Sequence, residues 1–574
     1  MKRSLWIWHI VAITIILAIT TVLLKDTLGK GFPVQFENYG SYMSKVRFLE
    51  SNGFVWFTPN WYFGFEIGRY YGPLTTFITY VIGQFIGDSS LVFHLLGFGA
   101  YLLMGIGFYA FLQGEFKSRW PALIAIALFL TAHTTVLSNQ GFYWEIPRLA
   151  GFSLIPVLLI LIRRGLERQG SGIAVAVGAG LGIILLFNTL SFIEAVIISG
   201  LYIGIKMIQD EKIRSRWIKI IEDGKYERIS VSWKQMIYFG LVSILSFLVL
   251  SGWWLIPAVL PHGFASFTQI ATQHPLKHLV DIGGSVPSYR YYYVSILTLP
   301  GILAVAGIVG AFWRRTTISI FALVLFGISL FLVVTGVLSQ PGRFIFDGVL
   351  ALAILSGALI DQLLQMRWRL VKMVAGIIII ATLASTFQTA FSKGADIKVD
   401  QEVFRERIEY QVHSRIAALM QKDDIVYIAY AQGFSGGPMS FNLFFPEKAQ
   451  VRGGFKPAPT NPDSAKIDQL VKSSSNPDEL DSLLQQYGVT YLVVNRPQME
   501  ERGTFDKLQQ RYEVVDKHKY MTILYTGYSK EQPAVSYNYL NSWRILGLLV
   551  SAGAASTVCG VFLRRRKFLK ESPR

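Results

Sequence analysis

Only one cysteine, Cys559, occurs in the 574 residues, so no disulfide can form within the chain. No Asn-x-Ser/Thr glycosylation acceptor is present either, with proline excluded at the middle position. Both absences fit a prokaryotic membrane protein. Charge is scarce as well: Asp, Glu, Lys and Arg supply 16% of the residues, against about a quarter in soluble globular chains. No Gly-x-x-x-x-Gly-Lys run occurs, which removes one common sequence cradle for a nucleotide phosphate.

What the chain has in excess is apolar length. It is 52% hydrophobic, with a mean hydropathy of +0.41. A spanning helix takes roughly 20 apolar residues at ~1.5 Å rise each, and stretches such as 4–24 and 236–260 meet that requirement outright. The net charge of +17 does not point to nucleic acid. Its basic residues sit largely in short loops between apolar segments, the pattern that sets membrane orientation. The opening Met1-Lys2-Arg3 and its apolar run lack a small-residue cleavage site before Lys25, so the run reads as a retained first helix.

The expected fold is therefore a polytopic α-helical membrane protein with about a dozen spans. These fall at 4–24, 91–112, 121–137, 149–162, 172–187, 190–208, 236–260, 294–312, 318–338, 344–364, 374–391 and 542–563. Lys2 and Arg3 place the N-terminus in the cytoplasm. Arg163 and Arg164, the basic loop 209–235, Arg314 and Arg315, and the run Arg564–Lys567 then fall on the same side. Both termini are cytoplasmic in this scheme, and the protein is integral to the cell membrane. It holds only if 73–87, apolar but merely fifteen residues long, lies along the outer surface without crossing.

The chain divides into a helical membrane domain (1–391, with a first outer loop at 25–90), a polar stretch at 392–541, and a final span with a basic tail (542–574). The polar stretch reads as a small extracytoplasmic α/β domain. Strand-like runs occur at 425–430, 489–495 and 521–525, and helical patterns at 403–420 and 477–487. Loops are expected at 436–438 and 456–462 from their Gly and Pro content.

The first outer loop is the most informative segment. It carries Glu37, Glu50 and Glu66 among many aromatics, including Phe54, Trp56, Trp61, Tyr62, Phe63, Tyr70 and Tyr71. Aromatic rings pack on sugar faces and equally anchor at the membrane interface. An acid soon after helix one, then Trp-x-x-x-x-Trp-Tyr-x-Gly (56–64), then Tyr-Tyr-Gly-Pro-Leu (70–74), resembles the GT-C superfamily of membrane glycosyltransferases. More narrowly, the pattern is similar to proteins with a 6-pyruvoyl-tetrahydropterin synthase-related membrane domain and to the YfhO-type proteins. The resemblance covers residues 1 to about 390 and extends weakly to LLQQYGVTYLVVNRP at 483–497.

The resemblance implies a polyprenyl-phosphate-linked sugar as donor and a glycan or lipid acceptor on the outer face. It also implies that an acidic residue of the first outer loop acts as base or metal ligand. Glu37 matches that position, and a carboxylate can take the acceptor hydroxyl's proton as the glycosidic bond forms. Glu37 is followed by Asn38 and not by a second acid, which leaves a bound divalent metal (Mg or Mn) open. Ser41 and Tyr42 stand where the narrower family often has a histidine.

Arg148, at the outer mouth of helix four beside Glu145, and Arg343, in the short loop before helix ten, suit bidentate contact with a lipid phosphate. The plainer readings are headgroup contact or pairing with Glu145 and Asp347. Glu66, Trp61 and Tyr71 are further candidates for substrate contact. Glu194, with Asn188 nearby, reads equally as a functional carboxylate within a span and as one satisfied by helix packing. His262, His274, His278 and Asp281 match no zinc spacing. The rival to a transferase is a non-catalytic relative that binds lipid-linked glycan or scaffolds envelope assembly. A transporter would call for broken helices at the midplane and a twofold repeat, and neither is visible.

Overall fold

The computed structural model describes residues 2–29, 31–33, 37–53, 57–63, 65–68, 72–132, 145–168, 170–210, 218–223, 226–231, 233–259, 299–335, 344–394, 399–400, 408–429, 437–452, 462–473, 476–501, 503–518, 521–529 and 542–571. A helix occurs at each of the twelve expected apolar segments. They are α1 (Lys2–Leu24), α4 (Ser89–Gln113), α5 (Trp120–Thr131), the pair α6 (Ile146–Ser153) and α7 (Ile155–Arg168), α8 (Ser171–Phe187), α9 (Thr189–Gln209), α10 (Trp233–Val259), α11 (Leu299–Trp313), α12 (Thr317–Thr335), α13 (Ile345–Gln365), α14 (Arg369–Gly394) and α21 (Ser542–Glu571). Two more helices, α2 (Glu37–Asn52) and α3 (Leu74–Ile86), belong to the first loop. The protein is a polytopic α-helical membrane protein. Among the described residues, seven helices are long and apolar enough to cross a membrane, and six more are apolar but shorter.

Local chemistry explains the breaks. Pro156 has no backbone N–H to continue a helix, and the expected fourth span is split into α6 and α7 just before it. The 13 residues of α3 cover about 20 Å, short of a hydrocarbon core of ~30 Å. Gly87 ends α3 in the left-handed conformation (φ 77°) and lets α4 turn back against it. Side chains that face outward from α1, α14 and α21 are large and apolar, as in Trp6, Ile380 and Leu549. Inside the bundle, Ala, Leu and Phe of α4, α5 and α13 fill the core at or near zero exposure. The basic loop 209–235 contains a two-stranded hairpin, β4 (Ile218–Asp223) with β5 (Tyr226–Val231).

The polar stretch folds as the expected α/β domain. A five-stranded mixed sheet runs β10-β11-β9-β7-β8: β7 (Ile425–Ile428), β8 (Ala449–Gln450), β9 (Val489–Asn495), β10 (Glu513–His518) and β11 (Met521–Tyr525). β9 is parallel to β7 and antiparallel to β11. α15 (Ile408–Leu419) and α16 (Gly437–Phe444) bring apolar side chains to one face, α17 (Pro462–Ser473) and α18 (Pro477–Tyr487) to the other. The short helices α19 (Arg496–Glu501) and α20 (Phe505–Gln509) follow β9. Of the segment read as a loop at 436–438, Gly437 and Pro438 instead open α16, with Pro438 in its first turn, where a missing N–H costs nothing, and residue 436 lies outside the described residues.

The first loop and this domain share one end of the bundle. β1 (Phe32–Pro33) pairs antiparallel with β6 (Val399–Asp400). β2 (Phe57–Thr58) and β3 (Phe65–Glu66) form a small hairpin between α2 and α3.

Candidate functional site

The first loop folds around α2. Tyr39, Tyr42, Met43, Val46 and Leu49 recur at helical spacing, and that face is buried with Trp61, Phe65, Phe93 and Ile146. Tyr39 meets the Phe93 ring at 5.3 Å, and His94 Nδ1 lies 3.2 Å from the Gly29 carbonyl. Lys45 stands on the same stripe, at 2% exposure. Its ammonium is 5.6 Å from the centre of the Tyr42 ring and 5.9 Å from that of Phe65. Burial pushes its pKa down to about 7.

A strained corner joins the loop to the α/β domain. Tyr62 and Phe63 both adopt left-handed backbone (φ 52° and 57°), which costs non-glycine residues about 1–3 kcal/mol. The corner is held by its partners. Tyr62 N–H donates to the Gln450 carbonyl at 3.2 Å, and Gln450 N–H donates to Asn60 O at 2.9 Å. Trp61, wholly buried, lies edge-on between Phe48 and Phe65 and donates its indole N–H to Asn442 Oδ1 at 2.7 Å. Gln450 donates to the same oxygen, and Phe63 stacks on Tyr487 at 4.1 Å. Glu66 lies 3.4 Å from Arg544 of α21. Trp61 and Glu66 thus tie down the loop, and no open ring face of Trp61 is left for a sugar.

Ile146 belongs to this apolar cluster, and Arg148 lies two residues beyond it in the bundle. Arg148 forms an ion pair with Glu194 near the start of α9 and lies 4.0 Å from Glu145; the three side chains are at most 3% exposed. Its guanidinium carbon sits 5.6 Å from the centre of the Phe346 ring, in the first turn of α13. Asp347 beside it is 4% exposed, and its Oδ1 accepts no hydrogen bond among the described residues. Ser191 donates to the Arg148 carbonyl at 2.8 Å and fixes α9 against α6. Among the described residues, one cation and three carboxylates therefore share a nearly water-free volume under the first loop. Charges so placed need partners, since an isolated buried ion costs many kcal/mol.

The structure brings two sequence candidates, Arg148 and Glu194, into direct contact, while Trp61 pairs with Asn442 and Glu66 with Arg544. Glu37 opens α2, but its side chain lies outside the described residues, as do Tyr71, Arg343 and the 262–281 histidine segment. Asp347 and Lys45 join the picture as groups the sequence reading did not choose as sites. Asp347 was named there only as a pairing partner. Lys45 had a signal, because it lies three residues after Tyr42 and four before Leu49. Among the described residues no three His, Cys, Asp or Glu side chains are grouped to hold a metal ion. At the Arg148 cluster the guanidinium pairs with Glu194 and lies 4.0 Å from Glu145.

The chain, with its helical bundle, folded first loop and α/β domain, shares its overall fold with several solved structures. ArnT from Cupriavidus metallidurans, solved bound to undecaprenyl phosphate, matches with a TM-score of 0.54 and 14% identity, over 90% of this chain and 98% of that one. The arabinofuranosyltransferase AftD from Mycobacteria matches at 0.55 and 12%, over 91% of this chain and 40% of AftD. The oligosaccharyltransferase AglB from Archaeoglobus fulgidus, in complex with an inhibitory peptide and a dolichol-phosphate, matches at 0.51 and 12%, over 86% and 70%. At these identities the likeness is one of fold. No family model matches the sequence, and no curated protein matches it.

Proposed function

We propose that the protein is a membrane glycosyltransferase that moves a sugar from a polyprenyl-phosphate-linked donor to an envelope glycan or glycolipid on the outer face. The observation that carries this reading is the roofed end of the bundle. There the first loop and the α/β domain are fastened together beside the buried cluster of Glu145, Arg148, Glu194 and Asp347. The fold shared with structures that hold undecaprenyl phosphate or dolichol-phosphate supports a lipid-linked donor. The narrower kinship, with the 6-pyruvoyl-tetrahydropterin synthase-related and YfhO-type proteins, rests on the first-loop motif alone.

In this reading the chain crosses the membrane twelve times with both termini in the cytoplasm, and the domain at 392–541 faces outward. Glu37 accepts the proton of the acceptor hydroxyl as its oxygen bonds to the anomeric carbon. The bond from that carbon to the lipid phosphate breaks, and the phosphate leaves with the electron pair. A single displacement inverts the anomeric configuration. Arg343, one residue before Phe344 and four before Asp347 in sequence, holds the leaving phosphate. Tyr71 packs on the sugar. Arg148 acts through Glu194 as a positioning residue that sets the outer ends of α6 and α9.

The test uses membranes that contain the full chain and radiolabelled polyprenyl-phosphate-linked sugars. Wild-type membranes are expected to transfer label to an outer-face acceptor, and Glu37→Gln membranes to lose most of that transfer. Full transfer by Glu37→Gln would remove Glu37 as the base. The lone acid, Glu37 beside Asn38, favours a second reading, in which the protein binds lipid-linked glycan without turning it over. Binding of labelled lipid without transfer by wild-type membranes would establish that reading instead.

A further inference from the structure

At the end of the bundle remote from the first loop, a cavity of about 520 Å³ opens among the ends of α4, α9, α11, α12 and α13. Its walls carry Lys117, Lys206, Arg314 and Arg315 against Glu115 and Asp361: four cations and two carboxylates, an excess of two positive charges. The carboxylates are already satisfied. Glu115 is approached by Lys206 at 2.9 Å and Arg163 at 3.5 Å, and accepts from the Tyr202 hydroxyl at 2.6 Å. Asp361 accepts the Ser118 N–H at 2.8 Å and the Gln365 amide at 2.7 Å. Lys117, Arg314 and Arg315 make no ion pair among the described residues.

The turn that bears the arginines is pre-organised. Thr316 N–H donates to Arg314 O at 2.8 Å and to Ser319 Oγ at 3.1 Å, and Ser319 Oγ also reaches Arg314 O at 3.3 Å. Membrane orientation alone needs basic residues near helix ends. It needs neither a walled cavity nor acids neutralised by other partners.

We propose that this cavity binds a phosphate group, carried by an anionic lipid headgroup or as free phosphate, through Lys117, Arg314 and Arg315. The guanidinium forks match phosphate geometry, and basic pockets between membrane helices hold phosphate headgroups in this way. The site stands apart from the proposed transfer chemistry, at the opposite end of the molecule, and does not depend on it.

The experiment uses the purified full chain in zwitterionic nanodiscs, titrated in one arm with phosphatidylglycerol and in the other with inorganic phosphate. Binding is read by native mass spectrometry and thermal shift. The double variant Arg314→Gln/Arg315→Gln is expected to weaken binding about thirty-fold. Arg367→Gln/Arg369→Gln removes the same charge from exposed positions at the same end and is expected to leave binding nearly unchanged. Saturation by the lipid alone assigns a headgroup, and saturation by inorganic phosphate assigns the free anion; either supports the site. Wild-type chain gives a measure free of variants, because bound phosphate should slow labelling of Lys117 by an amine-reactive ester. No binding in either arm, equal losses in the two double variants, or unchanged Lys117 labelling would overturn the proposal.

Discussion

Arg148 on α6 and Glu194 on α9 form an ion pair whose side chains are 3% and 0% exposed, with Glu145 and Asp347 close by. The four groups do not contribute equally. Among the described residues Arg148 is the one cation of the group, whereas Glu194 is one of three acids.

Removing the cation should therefore cost more than removing one acid. Breaking a buried pair costs about 3–5 kcal/mol when one charge is left uncompensated. Arg148→Met leaves three acids together and is expected to reach or exceed that range. Glu194→Gln, which leaves Arg148 two acids, should cost less. Thermal unfolding of the detergent-purified chain gives the order, and a larger loss in Glu194→Gln would contradict this account of the cluster.

Trp61 offers a second test, this time of the seam between the first loop and the α/β domain. Trp61→Phe keeps ring contacts with Phe48 and Phe65 but removes the donor to Asn442, which retains Gln450. The expected cost is about 1 kcal/mol. Trp61→Ala leaves a cavity and should cost about 3–5 kcal/mol. Hydrogen exchange at β8 should rise in the same order, and equal protection in both variants would show that the indole does not fasten the seam.

Lys45 makes stability depend on pH. Burial lowers its folded pKa to about 7, whereas an unfolded lysine titrates near ~10.4. Between those values the unfolded chain binds more protons than the folded one, so stability rises with pH, by at most ~1.4 kcal/mol per unit. Below about pH 7 both states carry the proton and the penalty of burying the ammonium is fully present. Lys45→Met is expected to be the more stable protein at neutral pH and to flatten the profile between about 7 and 10. An unchanged slope in that variant would assign the pH dependence to other groups.

The membrane helices were legible in the sequence because a span is a long, one-sided signal that needs no knowledge of its neighbours. Strands β9 and β11 were equally plain as runs of β-branched and apolar residues. β10 escaped because Glu513–His518 alternates exposed and half-buried positions at the sheet edge, and so carries too little apolar content to stand out. The seam around Trp61 could not be read, since Asn442 lies 381 positions away. Arg148 and Glu194 were each singled out, yet as separate contacts. Their opposite charge near the outer end of two spans, the fourth and the sixth, was the available clue that they are partners.

The pairing of Phe32 and Pro33 with Asp400 and Val399 also fixes an order of events during synthesis. The first loop leaves the ribosome long before the residues it pairs with. At ~5–20 residues per second, the intervening stretch takes roughly 20–70 s to translate. Through that interval Trp61 has no Asn442, the strained Tyr62–Phe63 corner has no Gln450, and β1 has no second strand. Closure of the roof is thus among the last steps of biogenesis, and a chain truncated before β6 would display its aromatic loop unsealed at the membrane surface.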